Sequence, residues 1–528
     1  MYWGKPTGRS DVLAQNGVVA ASQPLAAQAG LRIIQKGGNA IDAAVSTAAV
    51  LDAVEPFSTG CGGDAFALIH LDGNSEPLSY NGSGRSGSLV TLPDLLDKGW
   101  TTMPARGGAP VTVPGALHLW FHIVEKHGSL EMKEILEPAI HYARNGFPVS
   151  PLIGQSWKEI PKVLKNDAAR EIYAPNGKTP EIGQIMKNKD LATTFERVAK
   201  EGPEAFYTGR IAESIVKTVQ DYGGFLTLED LASHKTEETS PISVSYRGID
   251  VFEHPPNGQG FAALSMLNIM ETFDFSKYTP MSADRYHIMI EAKKLAYADL
   301  HQHNADPSFY DVPLEKLLAK EYAKTRAKSI DLNRAMSVYA PGLKLGHDTV
   351  YLATADGEGN AVSFINSLYM GIGSGLVAPG TGIKLQNRGH LFSLDPEHPN
   401  AYAPKKLPFH TIIPGALYRN KKLMGVFGIM GGSHQSQAHA QFVSNVVDYG
   451  MSPQEAMDYP RFDHDHITNK VGLENEISPE VQGELSKRGH NLIPETASYF
   501  GGGQAILRLE DAWIAGSDHR KDGQAAGF

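Results

Sequence analysis

The stretch HDTVYLATADGEGNAVSF at residues 347–364 decides the fold. From Thr349 onward, apolar and polar residues alternate, as is typical of a β-strand with two different faces. Asp356-Gly357 and Gly359-Asn360 then provide turn residues before a second strand-like run, AVSFINSLYM. Two such runs joined by a glycine-containing turn predict a β-hairpin. We therefore expect a strand to begin at Thr349.

A second hairpin and two helices are predicted upstream. Residues 22–37 combine an N-cap candidate, Pro24 in the first turn and apolar residues at helical spacing, and they end at Gly37-Gly38. Residues 41–54 are mostly small, which favours an interior helix packed closely against another layer. A glycine-rich turn at 58–64 then leads into alternating residues that predict a hairpin over 58–80.

Further along, the pattern becomes mainly helical. Residues 115–340 contain amphipathic stretches such as 283–300, which predict an outer helical layer. The runs TIIPGALYR (411–419) and LMGVFGI (423–429) predict strands, followed by Gly431-Gly432 and a helix from about residue 435 to 449. Two groups of strands flanked by helices favour a layered α/β sandwich.

Composition and charge narrow the class of protein. The 528 residues carry a net charge of −10 without a block of lysine or arginine, so neither a nucleic acid nor an anionic membrane is the expected partner. No run of about 18 apolar residues occurs and the N-terminus has no signal-peptide pattern, which favours a cytoplasmic location. Cys61 is the only cysteine, so an internal disulfide and a four-cysteine metal cage are excluded. A small-molecule substrate and no cofactor fit these features.

A threonine at the start of a strand becomes a nucleophile if its own α-amine is free to act as the base. Such an amine titrates near about pH 8, so a useful fraction is neutral at working pH. The amine is freed only when the chain is cut immediately before the threonine. Thr349, preceded by Asp348, has this context.

Five ordered blocks carry a resemblance to a known family. They are GGNAIDAAV (37–45), GCGGDAFAL (60–68), VPGA (113–116), HDTVYLATADGEGNAVSF (347–364) and MGGSHQ (430–435). Together they resemble the γ-glutamyltransferase family of N-terminal-nucleophile hydrolases, which includes glutathione hydrolases. The resemblance implies an αββα sandwich built from two fragments of one self-cleaved precursor, residues 1–348 and 349–528. It also implies hydrolysis or transfer of γ-glutamyl or related acyl groups through an acyl-enzyme on Thr349.

The resemblance assigns roles to residues around the nucleophile. Thr349 first attacks the carbonyl of Asp348, and its hydroxyl later attacks substrates. Ser367 stands at the family's position for a hydroxyl that orients the nucleophile, eighteen residues further along the chain. Gly431-Gly432 stand where the family uses two backbone N–H groups to hold the oxyanion.

The substrate-binding positions depart from the family's pattern. Where related enzymes hold the glutamyl α-carboxylate with arginine, this chain has Asn81, with Arg85 four residues later as a substitute. The acidic residue that meets the substrate's α-amine is replaced by Leu391, and Arg388 lies three residues before it. The sequence therefore predicts that the partner of the α-amine is missing.

Two further positions differ. A serine pair that helps to hold the carboxylate is replaced by His410-Thr411, and an asparagine two residues after Ser367 by Tyr369. The stretch 392–408 is shorter than in relatives with a lid loop, which predicts an open pocket. These features resemble the glutathione-hydrolase-like or cephalosporin-acylase-like branch, so a glutaryl or cephalosporin type of acylase is the alternative to a γ-glutamyl enzyme.

Three other interpretations compete. Gly431-Gly432-Ser433 approaches a nucleophile elbow, but its final glycine is replaced by glutamine. The run 463–466, Asp-His-Asp-His, contains zinc-ligand types, yet neighbours on a strand face opposite ways, which favours a solvated loop. An unprocessed, non-catalytic relative retained for binding is the alternative outside enzymes. Whether the processed protein forms a homodimer is left open by the sequence.

Overall fold

The structure is a computed structural model that describes residues 8–337, 349–494 and 500–528. Asp348, expected on the amino side of the cleaved bond, lies outside these residues. The strands of the described chain are β1 (Val12–Ala14), β2 (Gly17–Ala21), β3 (Asp64–His70), β4 (Leu78–Gly82), β5 (Phe147–Pro148), β6 (Ile185–Met186), β7 (Glu237–Thr239), β8 (Ile242–Tyr246), β9 (Ile249–Glu253), β10 (Val350–Asp356), β11 (Ala361–Ser367), β12 (Val377–Ala378), β13 (Ile383–Lys384), β14 (Gly415–Arg419), β15 (Lys422–Met430), β16 (Phe462–Asp465), β17 (Lys470–Leu473), β18 (Asn491–Pro494), β19 (Gly502–Arg508), β20 (Trp513–Ser517) and β21 (Gln524–Gly527).

The helices surround these strands. They are α1 (Pro24–Gln35), α2 (Ala40–Val54), α3 (Leu92–Asp97), α4 (Ala116–His127), α5 (Met132–Asn145), α6 (Pro151–Trp157), α7 (Asp167–Tyr173), α8 (Lys189–Glu201), α9 (Glu204–Tyr207), α10 (Gly209–Asp221), α11 (Leu228–Ala232), α12 (Gly260–Met270), α13 (Ala283–His303), α14 (Leu314–Leu317), α15 (Lys320–Ala327), α16 (His434–Val447), α17 (Pro453–Asp458) and α18 (Pro479–Lys487).

Two seven-stranded sheets form the centre of the molecule. The first has the order β1-β20-β19-β15-β14-β9-β8 and the second β21-β2-β10-β11-β3-β4-β7. An apolar layer that includes Phe66, Tyr351 and Val426 fills the space between the sheets. Further cores pack α1, α2, α4, α5 and α8 on the second sheet and α12, α13 and α16 on the first. The molecule is thus an αββα sandwich, as the sequence predicts.

Local sequence explains the elements nearest the site. The hairpin predicted around 347–364 is formed by β10 and β11, which pair antiparallel with Val350 opposite Asn366. The predicted interior helix is α2, which begins at the Asn39–Asp42 capping box and is buried over its whole length. Small side chains therefore let α2 lie directly on the sheet that carries the hairpin.

The region 115–340 differs from its predicted outer layer of helices. It includes the strands β8 and β9, which close one edge of the first sheet. Helix α13 was expected to be amphipathic at the surface, but 15 of its 21 residues are buried. The helix tolerates this because its buried polar side chains have partners, such as Lys294 with Glu291 and Arg285 with Asn445.

The run 463–466 was expected in a solvated loop, and this prediction was wrong. Its first three residues belong to β16, and His464 and His466 are both buried. Within the described part of the chain, none of the helices is both long and apolar enough to cross a bilayer.

Candidate active site

Thr349 lies directly before β10, in the middle of the second sheet. Its side chain is fully buried, and its Oγ1 lies 3.0 Å from the Oγ of Ser367 at the end of β11. The hairpin explains this contact, because pairing of Val350 with Asn366 brings the preceding and following residues together. Ser367 Oγ also accepts a hydrogen bond of 2.8 Å from the backbone N–H of Tyr369. The two hydroxyls predicted to act together are therefore in contact.

The glycine pair Gly431-Gly432 forms the turn between β15 and α16. Their φ angles are +132° and +57°, in the left-handed region that glycine adopts with little strain. The His434 N–H donates to the carbonyl of Gly431, which closes the turn.

The first sheet brings this turn towards Thr349. Ser363 donates from its Oγ to the carbonyl of Phe427 across the interface between the sheets. One residue further along β15, a Cβ on Gly428 would lie 2.3 Å from the ring of Tyr351, so only glycine fits there. Ser363 is paired with Ala353 on β10, so Phe427 lies near Ala353 and Gly428 lies near Tyr351. The strand β15 therefore runs towards Thr349 as it approaches Gly431-Gly432.

A buried arginine contacts Tyr369, two residues after Ser367. The guanidinium of Arg388, fully buried, is 4.7 Å from the centre of the Tyr369 ring, and its NH1 donates to Thr411 Oγ1 at 2.7 Å. Its Nε is 3.6 Å from Asp64 Oδ2, an ion pair longer than a hydrogen bond. Within the described part of the chain, Nε and NH2 have no hydrogen-bond acceptor. The arginine can thus donate to a further group.

Asp64 connects the arginine to β11, the strand that carries Ser367. It is opposite Ser367 in the pairing of β3 with β11, and its Oδ1 accepts from the N–H of Gly84. Burial raises the pKa of Asp64 to about 7, against the opposing effect of the Arg388 charge. His410 Nε2 is 3.1 Å from Asp64 Oδ2, and burial together with Arg388 lowers the pKa of His410 well below its usual range. The imidazole is therefore neutral.

Gln259 links the arginine's partner to the glycine turn. Its Nε2 donates to the carbonyl of Gly432 at 2.8 Å and also to the carbonyl of Thr411. Thr411 in turn accepts from Arg388 through its hydroxyl. One continuous network therefore runs from the predicted oxyanion turn to the buried arginine.

Two of the predicted substrate-binding residues are held by other partners. Arg85 donates to Asp306 at 2.8 Å and to Glu237 at 2.5 Å, so two carboxylates already surround its guanidinium. Asn81 is buried and bonds to Asn257 and Ser83. Arg85 and Asn81 are thus both engaged by side chains of the protein itself.

The other two predicted positions form an apolar wall. Leu391 is buried in a cluster that includes Tyr369, Phe261 and Phe409. Tyr369 adopts a left-handed φ of +78°, and its ring lies under the Arg388 guanidinium. The sequence predicted an open pocket, but every site side chain described above except Arg85 is buried.

Two members of the site, Asp64 and Gln259, were not singled out from the sequence. Asp64 ends the motif GCGGD, which reads as a simple turn before a strand. Gln259 follows the turn-type run Pro-Pro-Asn-Gly and lies between Gly258 and Gly260. A polar residue directly beside glycines was the one available signal, and it applies to both residues.

Comparison with known proteins agrees with this architecture. The sequence model described as Gamma-glutamyltranspeptidase matches residues 26–528. A glutathione hydrolase-like proenzyme of Bacillus subtilis, YwrD, is 38% identical over 98% of this chain and 99% of its own length. An oxamate amidohydrolase proenzyme of Klebsiella pneumoniae is 32% identical over 98% of this chain and 100% of its own. The crystal structure of a cephalosporin acylase from Bacillus halodurans superposes with a TM-score of 0.93 at 43% identity, covering 100% of this chain and 98% of that one.

The fold and its relatives define a self-cleaving N-terminal-nucleophile hydrolase or acyltransferase. Within that class, the chain belongs to the gamma-glutamyltranspeptidase family. The resemblance noted in the sequence is thereby confirmed, as is its placement near the glutathione-hydrolase-like and cephalosporin acylase branch.

Proposed function

We propose that this protein cleaves amides of short acyl groups that end in a carboxylate and lack an α-amine, through an acyl-enzyme on Thr349. The observation that carries the proposal is the buried Arg388, whose NH2 lacks an acceptor within the described chain and whose Nε has only the long ion pair with Asp64. A guanidinium matches the two oxygens of a carboxylate, and burial strengthens the attraction. Leu391 and its apolar neighbours offer nothing to an ammonium group.

The reaction begins with processing of the precursor. Thr349 Oγ attacks the carbonyl carbon of Asp348, the peptide C–N bond breaks, and the resulting ester is hydrolysed by water. This gives fragments 1–348 and 349–528 and frees the α-amine of Thr349. The proposal rests on the position of Thr349 before β10 and on its contact with Ser367.

The mature enzyme repeats this chemistry on a substrate. The α-amine of Thr349 takes the hydroxyl proton as Oγ attacks the substrate's carbonyl carbon. Backbone N–H groups of Gly431 and Gly432 hold the oxyanion, and Ser367 orients the nucleophile. The amine product leaves with a proton, and water or a second amine then takes the acyl group from Thr349. A cytoplasmic location remains a prediction from the sequence, which leaves a homodimer open.

A glutaryl anilide is expected to be at least tenfold better in kcat/KM than the γ-glutamyl anilide. A hydrogen bond to a charged group contributes about 1.5–3 kcal/mol, or roughly 10- to 150-fold, and the ammonium finds no such partner at Leu391. Arg388→Leu should lower kcat/KM for the glutaryl compound by tenfold or more. The uncharged butyryl anilide serves as the control, because its rate should not depend on this guanidinium.

A tenfold or larger preference for the γ-glutamyl compound would refute the acyl specificity. Asp64 would then be the acidic partner of the α-amine, since it is the carboxylate closest to Arg388. The role of Thr349 would be unaffected by that result.

The KM for the glutaryl compound is expected to rise about fivefold between pH 7 and pH 8. The pKa of Asp64 is raised to about 7, so its neutral fraction falls from about one half to about one tenth over this interval. Below that pKa, Asp64 is neutral and does not compete with the substrate's carboxylate for Arg388. Above it, the Asp64 carboxylate repels the incoming carboxylate, while His410 stays neutral throughout.

Asp64→Asn should remove this rise in KM, measured on the processed protein. The kcat reports deprotonation of the Thr349 amine and should still increase with pH in the variant. A KM that rises equally in the variant would show that Asp64 is not the titrating group.

A further inference from the structure

The carbonyl group of Ser433, directly after the glycine pair, has a partner outside the turn. It accepts a hydrogen bond from the hydroxyl of Tyr297, a residue of α13. The Tyr297 ring is buried in the same apolar cluster as Tyr369 and Leu391, the wall of the candidate site. Burial raises the pKa of this phenol, so the hydroxyl keeps its proton and acts as the donor.

Two rigid peptide groups connect this contact to the proposed oxyanion site. The Ser433 carbonyl shares a planar peptide group with the N–H of His434, and that N–H donates to the carbonyl of Gly431 at 3.0 Å. The Gly431 carbonyl in turn shares a peptide group with the N–H of Gly432, one of the two proposed oxyanion donors. Because each peptide group rotates as a unit, fixing the Ser433 carbonyl restricts the Gly432 N–H. Hydrogen bonds in such a chain also polarise one another, which makes the last N–H a stronger donor.

A lysine and a buried strand hold the Tyr297 ring in place. The Nζ of Lys293 lies 3.9 Å from the centre of the ring and donates to the carbonyl of His464 on β16 at 2.6 Å. On the same strand, Asp463 accepts a hydrogen bond of 2.7 Å from the side chain of Gln437 on α16. This strand, which was expected to be a solvated loop, therefore supports both the tyrosine and the helix that follows the glycine turn.

We propose that Tyr297 is a positioning residue that directs the Gly432 N–H towards the oxyanion through the Ser433 carbonyl. This inference rests on the proposed function, because it requires the glycine pair to hold the oxyanion. Gln259, at the N-terminus of α12, fixes the Gly432 carbonyl, so the carbonyls of residues 431–433 each have a donor. The turn is therefore held before a substrate binds, and its N–H groups need no rearrangement when negative charge develops.

Tyr297→Phe is expected to lower kcat about tenfold and to leave KM within about twofold of the wild-type value. The change removes only the hydroxyl and keeps the ring in the wall, so the substrate still binds while the oxyanion donor loses its support. Acylation and hydrolysis of the acyl-enzyme both pass through an oxyanion, so both steps should slow together. Steady-state kinetics on the processed protein measures kcat and KM. The assay uses whichever anilide, glutaryl or γ-glutamyl, the wild type cleaves faster, so the result does not depend on the acyl specificity.

Tyr286→Phe is the matched control. Tyr286 lies on the same helix, is fully buried and donates its hydroxyl to the carbonyl of Pro460 at 2.8 Å. Both variants therefore lose one hydrogen bond from α13 to a backbone carbonyl of residues 349–528, and thermal unfolding should show similar losses of stability. A purely structural role for Tyr297 would leave the two variants alike in kcat as well.

A boronic acid provides a second measurement that reports on the oxyanion site directly. The boron of 4-boronobutanoate accepts the Oγ of Thr349, whose proton passes to the α-amine, and the tetrahedral boronate presents an anionic oxygen to the glycine pair. Its inhibition constant is expected to rise about tenfold in Tyr297→Phe, in step with the fall in kcat/KM, because such an adduct resembles the transition state. The constant should not change in Tyr286→Phe.

A kcat for Tyr297→Phe within about twofold of the Tyr286→Phe control would overturn the proposal, as would an unchanged inhibition constant for the boronate. Adding Tyr297→Phe to Gly432→Leu should lower kcat by less than about threefold more, because the donor is already displaced. A larger further loss would show that the tyrosine acts elsewhere. If Gly432→Leu itself leaves kcat unchanged, the assignment of the oxyanion site fails, which is a different result from the failure of Tyr297→Phe alone.

Discussion

Thr349→Ala is expected to leave the purified protein as one uncut chain without measurable amide hydrolysis. The change removes the hydroxyl that attacks Asp348 and, with it, the route to a free α-amine. Denaturing electrophoresis shows the uncut chain, and the wild type should give two fragments. N-terminal sequencing of the smaller fragment should read Thr-Val-Tyr-Leu.

Two further variants make this test specific. Thr349→Ser keeps a hydroxyl and should still be cut. Thr354→Ala removes another buried threonine hydroxyl of β10, one that donates to the carbonyl of Ala40, and should also be cut. Hydrolysis by the uncut Thr349→Ala protein, or a fragment that starts elsewhere, would contradict the assignment of the nucleophile.

Gly432→Leu is expected to lower kcat by about 10²–10³, the usual effect of losing one oxyanion donor. A side chain here would disturb a turn whose carbonyl is fixed by Gln259, and it would displace the adjacent N–H groups. Substrate binding should suffer less, because the donors act mainly on the charge of the tetrahedral intermediate. Steady-state kinetics on the processed protein measures both effects.

Gly450→Leu is the matched control for backbone strain. Gly450 has a φ of +65°, close to the +57° of Gly432, and a Cβ there meets open space. Both variants therefore carry a similar cost of about 1–2 kcal/mol for a left-handed residue. If kcat for Gly432→Leu stays within threefold of the control, this glycine pair is not the oxyanion site.

Local patterns predicted the parts of the fold nearest the nucleophile. The hairpin of β10 and β11 and the helix α2 followed from periodicity and capping, which depend on residues close in the chain. Helix α13 was placed in the outer layer because its sequence pattern is amphipathic. Its burial depends on distant partners, such as Asn445 for Arg285, and periodicity cannot reveal them.

The candidate site also combines contacts that depend on residues close in the chain with contacts that depend on distant ones. Ser367 was assigned from the family resemblance, and its contact with Thr349 follows from the register of the hairpin formed by β10 and β11. The position of Arg85 is decided by Asp306 and Glu237, both more than 150 residues away in the chain. Burial of Arg388 beside Asp64 is equally a tertiary result, and it gives the specificity proposal its physical basis.

Both sheets combine strands from before and after Thr349, and this has a consequence for recombination between related genes. Strands from after Thr349 supply β10, β11 and β21 of the second sheet and β14, β15, β19 and β20 of the first. A recombination between two diverged genes at the proposed cleavage site would thus place foreign strands in the middle of both sheets. There they would border native strands, as β10 borders β2 and β11 borders β3. The proposed cleavage site is therefore a poor place to join two genes, and residues 1–348 and 349–528 must evolve as one unit.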